Sequence, residues 1–156
     1  EDSSRMLDPQ LRQTLMERLW RIPVFNTLGF RVEELGKGSC RVVVPHDRRF
    51  DGIFESYHGG LLATVADSCA CIAILTLTGP DEPLTTTDFN IRFLAACLTE
   101  VTANAKVIKL GRTLCPVHVE LFDAAGRMVA VSQVTYMRLP APPRHADRPA
   151  AGGGEG

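Results

Sequence analysis

The sequence predicts an α+β domain in which one antiparallel sheet of about six strands curls around a single long helix, with a short helix ahead of it. Three observations carry this. Residues 58–77, HGGLLATVADSCACIAILTL, would be apolar on every side of a helix. From Leu84 onward the apolar period changes from helical to two. The runs with that period are short and separated by turn residues.

The elements follow in order. Asp8 and Pro9 form an N-cap and first-turn pair, and Leu11, Leu15 and Leu19 make one apolar stripe, so a short helix ends before Pro23. Trp20 and Phe25 read as a packing pair at its end. FRVEEL and CRVVVP flank Gly36-Lys37-Gly38 and predict a hairpin. The long helix carries Leu61, Leu62, Val65, Ala66, Ala70, Ile72 and Ile74, and stops at Gly79-Pro80. TTTDFNIRFL alternates Phe89, Ile91 and Phe93 with Asp88, Asn90 and Arg92. VTANAKVIKL alternates Val101, Ala103, Ala105 and Val107. TLCPVHVELF carries Leu114, Val117, Val119 and Leu121, and MVAVSQVTYMRL follows the turn Asp123-Ala124-Ala125-Gly126. Four consecutive strands with short turns predict a meander of antiparallel neighbours.

The domain spans 8–139. Residues 1–7 read as a flexible N-terminus, and 140–156, PAPPRHADRPAAGGGEG, as a disordered Pro/Ala/Gly-rich tail. One domain fits the 156-residue length. A net charge of -1 supplies no field to hold nucleic acid or an anionic membrane, so neither is expected as a partner. The odd count of five cysteines, with no CxxC, and the four scattered histidines offer no metal site; buried thiols in a reducing cytoplasm are expected. GxSxG, GxxxxGK[ST] and GxGxxG are absent, which excludes the commonest hydrolase elbow and nucleotide loops.

Asp67 is the one carboxylate in the apolar helix. A buried acid needs a partner or water, and Arg92 is one candidate for a plain ion pair. Two features point to chemistry instead. Gly59-Gly60 opens the helix although glycine costs roughly 1 kcal/mol there against alanine, so something must approach that backbone closely. The N–H groups of a helix start are ready donors to an oxygen gaining charge, and His58 either caps this turn or takes part directly. Gly59 and Asp67 lie eight residues apart, about 12 Å along one axis, so one helix cannot bring both to one carbonyl. Two antiparallel helices across a dimer could.

HGGLLATVADSCA, with the acid nine positions after the histidine, resembles the signature of hotdog-fold acyl-CoA thioesterases, in the branch of the phenylacetate-pathway (PaaI-like) enzymes. TTTDFNIRFL, GRTL and DAAGRMVAVSQVTY resemble the family's later strands, so the resemblance covers about 28–138. It implies a hotdog fold and dimers that often pair into a homotetramer. It implies hydrolysis of a coenzyme A thioester with no cofactor beyond that substrate. Gly59 would supply the backbone donor, the partner's Asp67 the nucleophile or general base, and Thr86 a hydroxyl near the attacking water. His58, Gly60, Phe54, Tyr57 and Arg112 are candidates for substrate contact; Phe54 and Tyr57 could equally pack, and Arg112 could equally be an exposed turn charge. Relatives often carry Asn six residues before the histidine, followed by Gly. Here Gly52 and Glu55 stand in those places, which leaves open a protein that binds acyl-CoA without hydrolysing it.

Overall fold

The structure is a computed structural model that describes residues 5–140. The first helix, α1 (Pro9–Leu19), starts as expected: the Asp8 carboxylate accepts the Leu11 N–H at 3.0 Å, and Pro9 takes the first turn, where no donor is missed. Leu15 and Leu19 are buried. A second helix, α2 (Pro23–Leu28), goes beyond the expected elements, because so short a run shows no period. Gly29 ends it at φ 75°, returning its N–H to the Phe25 carbonyl. Phe25 stacks on Phe30, with centroids 4.4 Å apart, while Trp20, lining the same small cleft, stays largely exposed.

The two ends of the chain differ. Ahead of α1, Met6 bridges Gly36 and Leu7 is buried, so the chain runs beside the sheet edge there. Residues 1–4 and 141–156, including nearly all of the expected tail, lie outside the described residues.

β1 (Arg31–Gly36) and β2 (Ser39–Val44) form the expected hairpin, turning at Gly38 with φ 76°. The loop 45–58 then leads into α3 (Gly59–Thr78), followed by β3 (Leu84–Phe93), β4 (Val101–Val107), β5 (Leu114–Phe122) and β6 (Met128–Arg138). All pairings are antiparallel and the sheet order is β1-β2-β4-β5-β6-β3. The four-strand meander is thus corrected. β4, β5 and β6 do follow one another, but β3 pairs with β6 at the edge. The segment 94–100 is no tight turn. It crosses the end of the sheet, with the Leu94 N–H on the Val129 carbonyl and the Tyr57 N–H on the Cys97 carbonyl. Leu114 also points outward; Cys115 takes the inward place, in phase with Val117, Val119 and Leu121.

α3 packs its buried face, including Leu62, Val65, Ala66, Cys69 and Ile72, into the curve of the sheet. By length and composition it could cross a membrane, yet it is the core helix of this domain. Its C-terminal half is tied to the β1–β2 turn by Thr76, whose hydroxyl accepts the Gly38 N–H at 2.8 Å and donates to the Ala73 carbonyl. The opposite face, with Gly60, Ala63, Thr64, Asp67, Ser68 and Cys71, is only partly covered. Those residues are small or polar, and Asp67 lies in their midst.

Candidate active site

The helix start explains both glycines. His58 is the N-cap: its Nδ1 accepts the Gly60 N–H at 2.9 Å, so the neutral ring carries its proton on Nε2. The His58 carbonyl takes the Leu61 and Leu62 N–H groups at 2.9 and 3.0 Å. Gly59 is therefore the one residue of this turn whose N–H has no partner among the described residues. A Cβ on Gly60 would press the His58 ring at 3.1 Å, and one on Gly59 would press Phe93 at 3.3 Å. The cap consumes the neighbouring donors and leaves one amide free at the positive end of α3.

Asp67 sits two turns further along, half-buried. It does not pair with Arg92, which is exposed and donates to its neighbour's carbonyl at Ile91. Two hydroxyls converge on its Oδ1 instead: Thr86 donates at 2.9 Å and Tyr136 at 2.8 Å. Thr86 reaches it because β3 carries a bulge between Thr86 and Asp88, which inserts Thr87 and shifts the phase of the strand. Leu84 and Thr86 thereby share the helix side with Phe89 and Ile91, three and five residues further on. The groove beside Asp67 is open and holds about 250 Å³, walled by Gly60, Ala63, Thr64, Thr86 and Phe89. Cys71, the neighbour of Asp67 and Tyr136, is pushed up to about 11 by burial, so it stays a thiol. Larger clefts lie elsewhere. One of about 300 Å³ on the outer sheet face has Glu34 paired with Arg41 and Glu120 near His118. One of about 440 Å³ near the end of α3 has Lys37, Lys106 and Lys109 but no carboxylate. Neither joins an available acid to hydroxyl donors.

The remaining candidates divide. Tyr57 is buried, its hydroxyl on the Pro45 carbonyl at 3.3 Å, so it packs under the loop. Phe54 is 88% exposed and Ile53 91%, both at the loop tip. Gly52 gives that loop its turn by donating to the Ser56 carbonyl at 2.8 Å. Glu55, standing in the glycine position, holds φ 58°, the backbone path that glycine adopts freely. Asp51 bonds His46 at 2.5 Å and so braces the loop's base. Arg112 is exposed in its turn without an ion-pair partner among the described residues, whereas Arg127 and Arg138 are engaged by Asp123 and Glu82. No cluster that could hold a metal ion occurs among the described residues.

A sequence model described as "Thioesterase superfamily" matches residues 54–130, from the glycine-bearing loop into β6. The chain belongs to the thioesterase superfamily. Solved structures agree on its hotdog fold. A thioesterase family protein from Silicibacter pomeroyi is 28% identical with a TM-score of 0.76, covering 83% of this chain and 98% of that one. The PaaI protein of the E. coli phenylacetic acid degradation operon superposes with a TM-score of 0.79 over 87% of this chain and 98% of its own. At 19% identity, that likeness is one of fold alone. A Saccharolobus solfataricus protein named as an esterase is 29% identical over 108 residues, 69% of this chain and 76% of that one. A hydrolase role therefore holds at the level of this thioesterase superfamily.

Proposed function

We propose that this protein hydrolyses acyl-CoA thioesters, with each reaction centre shared by two copies of the chain. The observation that carries the reading is the pairing of one free amide at Gly59 with a hydroxyl-held acid at Asp67 on the same helix. Eight residues separate them, about 12 Å at the helical rise, too far for one carbonyl. A second helix packed antiparallel would set Gly59 of one copy against Asp67 of the other. Several surfaces support a homodimer: the partly covered face of α3, the open edge of β3, and exposed Phe93 and Leu94 beside the helix start. Pairing of such dimers into a tetramer is part of the same reading, as is a cytoplasmic location suited to five free thiols.

The chemistry needs no metal or organic cofactor. The Gly59 N–H would bond the thioester oxygen as negative charge develops there. Asp67 either takes a proton from water, whose oxygen bonds the carbonyl carbon, or attacks that carbon itself to give an anhydride that water then opens. In both routes the C–S bond breaks, the sulfur leaves as thiolate and takes up a proton, and the products are free acid and coenzyme A. Gly52 brings no side chain to the loop where relatives carry an amide, so the thioester would be oriented mainly by the helix amide.

The deciding experiment is Asp67→Asn against a panel of acyl-CoA substrates. A fall in kcat of at least about 100-fold in a folded dimer is expected, since the amide neither abstracts a proton nor attacks. Retention of most activity would refute the reading. Tight acyl-CoA binding by the native protein without turnover would favour a ligand-binding role.

A further inference from the structure

Tyr136 lies on β6, outside every segment in which the sequence pointed to chemistry, and it is 5% exposed. We infer that Tyr136 is a positioning residue that, together with Thr86, clamps Oδ1 of Asp67 and leaves Oδ2 as the oxygen that reacts. This rests on the thioesterase reading above and deepens it by assigning the roles of the two oxygens.

The clamp is built by strand register. Thr86 on β3 pairs with Tyr136 on β6, and the next pair is Asp88 with Thr135, so the bulge falls immediately beyond. Directly paired residues of antiparallel strands project from the same face. Both hydroxyls therefore leave the sheet side by side, toward α3. Each has one hydrogen to give. Both are within reach of the same carboxylate oxygen, at 2.9 and 2.8 Å, while the Tyr136 oxygen is also 3.0 Å from the Asp67 carbonyl. An oxygen that already accepts two hydrogen bonds has little electron density left for a proton or a carbon. Oδ2 accepts none among the described residues, and it is not sealed from solvent. It is left to the open groove with Gly60, Ala63, Thr64 and Phe89.

A carboxylate on a single helix would otherwise rotate and exchange its oxygens. Donors from two hydrogen-bonded strands fix its plane relative to the sheet and not only to the helix. Burial, with Cys71 beside it, holds the Tyr136 phenol far above its ordinary range, so it remains a donor wherever the protein is folded. A neutral donor suits this role because it holds the carboxyl oxygen without adding a charge to the groove.

The proposal is tested with Tyr136→Phe, which keeps the ring and removes the hydroxyl. Hydrolysis is measured across substrate concentration, alongside a thermal melt of each protein. The expected result is a kcat lower by roughly 10- to 100-fold, the range for loss of one hydrogen bond to a charged group, with KM within about twofold. The loss falls on kcat and not on KM, because Oδ1 is freed to exchange with Oδ2 while the groove walls stay in place. A purely structural role would lower the melting temperature and leave kcat of the folded protein unchanged. Thr86→Val, on the more exposed strand, gives the same direction with smaller size and serves if Tyr136→Phe folds poorly. An unchanged kcat in Tyr136→Phe, alongside an inactive Asp67→Asn, would overturn the positioning role and leave the thioesterase reading intact. An active Asp67→Asn would overturn both.

Discussion

His58 offers the sharpest separation of capping from catalysis. In the structure its Nδ1 accepts the Gly60 N–H at 2.9 Å, in an exposed first turn. His58→Ala removes that acceptor. A lost N-cap costs roughly 0.5–2 kcal/mol, and the exposed setting argues for about 1. For a domain of this size that is a fall in Tm of roughly 3–6 °C. His58→Asn supplies a side-chain oxygen that caps as well as any residue does, so stability should return to within about 0.5 kcal/mol of the native protein. The activity follows the same logic. If His58 serves only to occupy the Gly60 N–H and hold the turn, His58→Asn keeps hydrolysis within about threefold of native. His58→Ala loses more, because a fraying first turn misplaces the Gly59 amide. Urea melts and acyl-CoA kinetics on the three proteins decide the matter. A fully stable His58→Asn that is nevertheless inactive would refute the capping account and give the imidazole a direct part in the reaction.

Two further predictions come from the backbone and from the charges. Glu55 holds φ 58°, a path that strains an L side chain by about 1–2 kcal/mol, partly offset in a glycine variant by greater freedom of the unfolded chain. Glu55→Gly should therefore stabilise by up to about 1 kcal/mol in urea melts and leave kcat unchanged; destabilisation would contradict the backbone path described. At low pH, three carboxylates matter. Hydrogen bonds from Arg49, Arg138 and the Arg127 backbone hold Asp47, Glu82 and Asp123, respectively, below their ordinary range. A depressed folded-state pKa adds stability above the unfolded value and loses it as pH falls through the folded one. Stability should thus be flat near neutrality and decline below roughly pH 4, with Glu82→Gln blunting the decline. A decline already under way at pH 6 would point to other groups.

Much of this molecule was legible because period and punctuation are local. The α1 cap, the β1–β2 turn, α3 and the inward phase of β4 all follow from residues within one turn or strand of each other. What escaped was set by distant partners. The pairing of β3 with β6 rests on contacts 37 to 54 residues apart in sequence, about which alternation is silent. The bulge at Thr87 hides in three consecutive threonines, any of which could be the inserted one. Tyr136 reads as one more inward strand residue until its hydroxyl is seen on Asp67. The acid itself stood out because a charge on an apolar helix is anomalous, but its partner did not, since Arg92 is nearer in character and Thr86 and Tyr136 are nearer in space.

The edge position of β3 carries a consequence for biosynthesis. On the ribosome, β3 emerges before β4 and β5, yet its partner β6 is the last of the described strands to be made. Throughout that interval a ten-residue ribbon bearing Phe89, Ile91 and Phe93 has no neighbour, which is when a nascent chain is most open to wrong association. A polypeptide halted before residue 128 would contain the acid, the capped helix and Thr86, but not the phenol that completes the grip. Translation therefore finishes the strand that shelters the nascent ribbon and the hydroxyl that secures the acid in one and the same step.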